Sequence, residues 1–162
     1  MKRVVAVLAL VAVLSASGTA LLLWQLNRHR APQLPQISAY SHGHLTRVGP
    51  FRYCPVLDLN ACQTAGVQGE LPVDKHNPVQ LSVPAEIGRA PWRLLLVYEN
   101  PLDTTVSVFP PESRLAVTIP SVDPQRGRLT GVAVQLLTLV LNPNGELQEL
   151  PHAEWSVRTV WP

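Results

Sequence analysis

Pro91-Trp92-Arg93-Leu94-Leu95-Leu96-Val97-Tyr98-Glu99 is the stretch from which the rest of the chain is read. On an extended backbone, side chains alternate sides, so Trp92, Leu94, Leu96 and Tyr98 share one face. Leu95 and Val97 make the other face apolar too, which predicts a central strand covered on both sides over part of its length. Gly131–Leu141 repeats the pattern, Val132, Val134, Leu136 and Val140 alternating with Ala133, Gln135, Leu137 and Leu139. Asn142-Pro143-Asn144-Gly145 then signals a turn, because Asn-Gly reaches positive φ cheaply. The chain returns through Glu154–Trp161, with Trp155, Val157 and Trp161 expected toward the core and Arg158 toward water.

Outward from these two segments, further strands are predicted over Ile37–Val48, Phe51–Cys54, Val79–Val83, Thr105–Phe109 and Leu115–Ile119. Ala85–Gly88 has room for a single helical turn. All 16 prolines lie at or after Pro32 and recur every few residues. Interior proline removes a helical hydrogen bond and clashes with the preceding turn, so long helices do not fit between them. Seven or eight short strands at regular spacing predict an all-β domain over residues 37–162, an immunoglobulin-like two-sheet sandwich with Trp92 in its core.

The first residues follow another logic. Val4–Leu26 is 23 residues without a charge, opened by Lys2-Arg3 and closed by Arg28-His29-Arg30. At about 1.5 Å per helical residue the run reaches roughly 34 Å, enough for a hydrocarbon core of about 30 Å. A cleaved signal peptide would end its apolar stretch near the small residues before Ala20, but Leu21-Leu22-Leu23-Trp24 carries on. Trp24 sits where an interfacial aromatic belongs. The expectation is a three-residue cytoplasmic tail (1–3), a transmembrane signal-anchor (4–26), and a proline-stiffened stalk (27–36). Flanking charge favours a cytoplasmic N-terminus and an extracytoplasmic domain.

Charge excludes one class of partner. Beyond residue 30, nine Lys and Arg face eleven Asp and Glu, a net −2, so the +2 of the whole chain resides at the ends of the anchor. A basic nucleic-acid-binding surface is not supported. Cys54 and Cys62 are the two cysteines, with seven residues between them, and in an exported domain they are expected to form a disulfide.

The span, the Phe51-Arg52-Tyr53-Cys54 and Cys62 loop, the Pro91-Trp92 strand and the hairpin closing on Trp155 and Trp161 together carry a resemblance. The chain resembles a family of small exported or membrane-anchored actinobacterial proteins of unknown function. The resemblance covers nearly the whole chain and implies an envelope location and a β-rich ectodomain. It brings no catalytic residues.

Candidate chemistry is sparse. In His42-Gly43-His44 the imidazoles at i and i+2 would share one strand face and hold a metal ion weakly. The plainer reading is two exposed polar residues beside a glycine. Carboxylates are scattered, and neither a Gly-x-Ser-x-Gly nucleophile nor a phosphate-cradling glycine loop occurs. No catalytic residue and no cofactor is therefore assigned. The expectation is a non-enzymatic, single-pass envelope protein that binds a membrane or cell-wall protein partner. The alternative is a carrier of a lipid or hydrophobic metabolite between its sheets, and the minor one is a metal site at His42 and His44.

Overall fold

The computed structural model describes residues 2–28, 34–64 and 66–162, and within the helix the side chains of residues 11–25. The chain divides into two compact units, Met1–Gln33 and Leu34–Pro162. The first is one 27-residue helix, α1 (Lys2–Arg28). The expected span 4–26 falls inside it; Met1 of the expected tail and residues 29–33 of the expected stalk lie outside the described residues. The side chains of residues 11–25 are all exposed. Ser15, Ser17 and Thr19 donate their hydroxyls back to the carbonyls of Ala12, Val13 and Ser15 at 3.0, 2.8 and 2.8 Å. Among the described residues, no helix is long and apolar enough to cross a membrane.

The second unit is mostly strand. In chain order it holds β1 (Ile37–Ser41), β2 (His44–Val48), β3 (Arg52–Tyr53), β4 (Gln63–Thr64), β5 (Gly69–Pro72) and β6 (Val79–Ser82). A helical turn, α2 (Ala85–Gly88), leads to β7 (Trp92–Tyr98), β8 (Thr105–Phe109), β9 (Ala116–Ile119), β10 (Val122–Asp123), β11 (Gly127–Leu141) and β12 (Leu147–Val160). The smaller sheet has the order β2-β1-β6-β9. The larger runs β4-β3-β12-β11-β7-β8, with β10 beside β11 and β5 beside β12. Pairing is antiparallel throughout except between β5 and β12.

One apolar cluster joins the sheets. Ile37, Ala39, Val79 and Leu81 come from the smaller sheet, and Trp92, Leu94, Val134, Trp155 and Val157 from the larger. The two tryptophans are the cluster's largest fully buried side chains, and each finds an acceptor for its indole N–H, as a buried indole must. Trp92 stacks on Phe109 with ring centroids 4.3 Å apart, and its Nε1 donates to the Arg114 carbonyl at 3.3 Å. Trp155 donates to the Pro35 carbonyl at 2.8 Å, tying the start of the domain to its last strand.

Several expectations need correcting. Leu95 and Val97 are only half-buried, so β7 is well covered on one side alone. Ile37–Val48 is a hairpin rather than one strand, broken by positive φ at His42 (44°) and Gly43 (84°). Both turn residues in the left-handed region match the two-residue turn whose twist suits a hairpin. β4, β5 and β10 were not foreseen, because two to four residues with at most one buried apolar side chain carry no periodicity. β12 starts at Leu147, seven residues before the expected strand.

That early start creates a projecting arm. β7 pairs with β11 as far as Leu136, and β3 meets β12 at Ala153 and Glu154. Past a register shift at Leu136/Leu137, Leu137–Leu141 and Leu147–Pro151 continue as a ribbon of two strands. Leu139, Leu141 and Leu147 on it are 62%, 70% and 68% exposed. Because Trp155 pairs with Val134 and holds Pro35, the arm projects past the end of the sheets at which the chain enters the domain.

Candidate functional site

At the opposite end of the sheets, four segments converge. These are the His42-Gly43 turn, the loop from Val73 to Pro78, the turn from Ser121 to Arg128, and the terminal Trp161-Pro162. Each is short and ends a strand whose other end is fixed in the core, so the convergence follows from strand register. Between them open two adjoining clefts. One of about 260 Å³ is lined by His42, His44, Pro72, Val73, Asp74, Val160, Trp161 and Pro162. The other, of about 440 Å³, is lined by Asp74, Lys75, His76, Val122, Arg128, Trp161 and Pro162.

Trp161 is the wall between them, and its orientation is fixed on both sides. Its Nε1 donates to the Leu129 carbonyl at 2.9 Å, and the buried Thr159 hydroxyl donates to the same oxygen. The Arg128 guanidinium lies 5.2 Å over the indole ring. Glu99 holds Arg128 from the other side at 3.7 Å and accepts its backbone N–H at 3.3 Å. Trp161 was expected in the core; it packs against the core's edge while half-buried, leaving part of the ring for the clefts.

Asp74 shapes the loop. Its Oδ1 accepts from the backbone N–H groups of His76 (2.7 Å) and Asn77 (2.8 Å), and its Oδ2 from the Asn77 side-chain amide at 2.8 Å. The Ser121 hydroxyl donates to the Asn77 carbonyl, closing the loop onto the next turn. Hydrogen bonds from the Asn77 side chain first, then from the His76 backbone, hold the Asp74 carboxyl below the usual carboxylate range; His42 adds a smaller electrostatic contribution. Such bonds favour the ionised form. The loop's ordering is therefore complete above the ordinary carboxylate pKa of about 3.9 and is lost as pH falls through the lower folded value. In an NMR titration the His76 and Asn77 amide resonances are expected to move together with a midpoint below about 3.9. A midpoint at or above that value would show that the carboxylate does not hold the loop in solution.

Asp123 builds the neighbouring turn in the same way. It accepts from the backbone of Gln125 (2.9 Å) and Arg126 (3.0 Å) and pairs with the Arg126 guanidinium at 3.2 Å. The backbone bond from Gln125 leads the causes that lower its pKa. Among the described residues, neither the Lys75 ammonium nor the His76 ring makes a hydrogen bond or an ion pair. With Val122, Trp161 and Pro162 as apolar walls, the larger cleft offers an aromatic surface next to the Lys75 ammonium and to Arg128, which Glu99 also holds, while the Asp74 carboxylate is tied up by the loop backbone. That chemistry suits a flat or apolar group carrying an acidic one.

The two histidines singled out by sequence do meet at one cleft, but not through strand alternation. His42 occupies the turn, and His44 opens β2 opposite Ser41. His76 lines the adjoining larger cleft rather than theirs. Among the described residues, no group of three or more His, Cys, Asp or Glu is arranged to hold a metal ion.

Cys54 and Cys62 form the expected disulfide. Cys54 is buried, and its carbonyl receives the Nδ1–H of His152 at 3.0 Å. His152 also packs edge-on against Tyr53 at 6.1 Å between centroids. This histidine is thus a support for the cysteine loop, buried beside the disulfide and apart from the clefts.

A family model described as "Protein of unknown function (DUF2771)" matches residues 30–160. The chain is 62% identical to uncharacterized protein Mb0899c of Mycobacterium bovis, over 99% of this chain and 100% of that protein. It is 62% identical, over the same shares, to uncharacterized protein Rv0875c of Mycobacterium tuberculosis. No solved structure matches the chain significantly.

Proposed function

Starting from the fact that the chain belongs to the DUF2771 family of proteins of unknown function, we propose that it is a single-pass cell-envelope protein presenting a non-enzymatic interaction module. Its two sheets are read as an immunoglobulin-like sandwich, supported by their shared core and by the buried Trp92 on β7. Attachment is supported by the uncharged run Val4–Leu26, of which residues 11–25 have described side chains. The hydroxyls inside that run are satisfied by the helix itself, so they require no water. A disulfide suits the extracytoplasmic side.

The observation that carries the reading is the Trp161 end of the domain. Its clefts combine a positioned indole with the cations Lys75 and Arg128, at the end of the sheets farthest from the segment leading to α1. Partner binding is tested in cells with a photo-crosslinking residue at His76 of the full chain. A discrete adduct is expected, reduced about tenfold by Lys75→Glu with Arg128→Glu, since two lost charge contacts of roughly 0.7 kcal/mol each amount to that factor. No adduct, or one indifferent to the charge reversal, would remove the reading.

Small-ligand carriage is the second reading, supported by the apolar walls and adjacent cations of the larger cleft. The space between the sheets is occupied by Trp92, Trp155 and their neighbours, so a ligand would sit at the sandwich end and quench Trp161 fluorescence. A weak metal site at His42 and His44 is a minor reading, supported by the cleft they share with Asp74.

A further inference from the structure

We infer that the free end of the β11–β12 arm is a second membrane contact, with Leu139, Leu141 and Leu147 resting on the lipid surface. The inference rests on the anchored reading above and adds to it which part of the domain meets the bilayer.

Direction comes first. Followed backward, β1 runs from Ser41 to Ile37 and on to Pro35, which meets Trp155 opposite Val134. β11 runs the same way from Leu129 through Val134 to Leu141. The arm and the strand leading back to the tether therefore point past the same end of the domain.

Reach agrees with direction. Seven residues of strand from Val134 to Leu141 extend about 24 Å at roughly 3.4 Å each. The six peptide steps from Arg28, the last helical residue, to Leu34 span at most about 21 Å. Measured from the level of Pro35 and Val134, the tip of the arm thus reaches about as far as the linking chain can extend.

The chemistry of the arm selects lipid over an ionic partner. Leu139, Leu141 and Leu147 lie on one face of the ribbon, in register as Leu141↔Leu147 and Leu139↔Glu149. Glu146 and Glu149 are the charges between Leu137 and Pro151, and both are engaged. Arg93 pairs with Glu149 at 3.0 Å, and the Asn142 amide donates to Glu146 at 3.0 Å. With no basic residue on the arm, attraction to anionic lipid contributes nothing, and the contact is apolar. It must also be shallow, because beyond Leu136 the ribbon has unpaired backbone edges that cannot enter hydrocarbon. Leucine side chains reach the acyl boundary while Asn142-Pro143-Asn144-Gly145 stays among the headgroups.

The test uses the full chain with its disulfide intact, reconstituted in phosphatidylcholine vesicles. An environment-sensitive fluorophore is placed at Leu141→Cys, with Leu147→Cys as an independent second site. Leu14→Cys reports the anchor and Gln125→Cys the far end of the domain. The expected result is severalfold enhanced emission at positions 141 and 147, quenched by spin labels at a shallow lipid depth and shielded from iodide. Replacing a third of the lipid with an anionic one should not strengthen it. Position 125 should stay open to iodide. If 14 is lipid-quenched while 141 and 147 remain open to iodide, the inference falls and the anchored reading stands. Shielding of 141 and 147 without lipid quenching would assign the arm to contact between copies of the chain, and also overturns it. If 14 itself is not lipid-quenched, both readings fall.

Discussion

Replacing Trp155 by alanine is expected to lower the stability of the β domain by about 4 kcal/mol, the usual cost of truncating a fully buried tryptophan. For a domain of this size that is a fall of roughly 15 °C in Tm. Trp155 is fully buried in the cluster shared by both sheets, so its removal leaves a cavity that neither sheet can collapse to fill. The loss also frees the Pro35 carbonyl, which accepts the indole N–H at 2.8 Å. Trp155→Phe separates the two effects. It retains most of the packing and is expected to cost only about 1–2 kcal/mol, the share of the hydrogen bond and the smaller ring. Thermal or denaturant unfolding of the full chain in detergent, followed by far-UV circular dichroism, measures both. A Trp155→Ala variant within about 1 kcal/mol of the parent would show that this residue does not join the sheets.

The second large effect belongs to the disulfide. Replacing both Cys54 and Cys62 with alanine is expected to cost about 2.5 kcal/mol, the chain-entropy value for a loop of nine residues. The loss should be local before it is global. β3 and β4, which flank the loop, have two residues each, and Val56 and Leu57 between the cysteines are exposed. The backbone bonds of Phe51 and Cys54 to Glu154 and His152 hold the start of the loop to β12, whereas residues 55–61 depend on the disulfide and on turns of their own. Limited proteolysis should then cut within residues 55–61 of the variant, or of the reduced parent, while the oxidised parent resists. Equal resistance in all three would show that the bond stabilises nothing. The same residues test the proposed compartment: if both thiols of the native protein react with an alkylating reagent in intact cells without reductant, an oxidising location is wrong.

Much of the strand content was readable from alternation alone. Thr105–Phe109 matches its expected bounds, and the strands expected over Trp92–Glu99, Val79–Val83 and Leu115–Ile119 form with one residue fewer at an end, as Trp92–Tyr98, Val79–Ser82 and Ala116–Ile119. The same rule misjudged β7 and β11 on their outer faces. Apolar residues on both sides of a strand state what it tolerates, and coverage depends on which element lies across it. Leu139 and Leu141 illustrate the failure, since they continue a core-like pattern beyond the point where β7 stops pairing.

The cleft was legible only in pieces. His42 and His44 stand out in the sequence, but Asp74, Lys75 and His76 carry no motif. Trp161 looked like one more odd-numbered core position on its strand. Its exposure is set by Leu129, whose carbonyl fixes the indole, and by Arg128, which covers one side of the ring.

By itself, the order of residues determined which segments extend, where the turns fall, which two cysteines pair, and that the uncharged run stands apart from the proline-rich remainder. These properties depend on neighbours a few positions away, through side-chain alternation, proline's missing N–H and the short loop between the thiols. Tertiary structure alone decided that residues 42, 74, 76, 128 and 161 meet at one end of the sheets and that an arm of leucines projects from the other. Both depend on register between strands far apart in the chain, which is set by the fit of Trp92 and Trp155 into a common core and leaves no local trace.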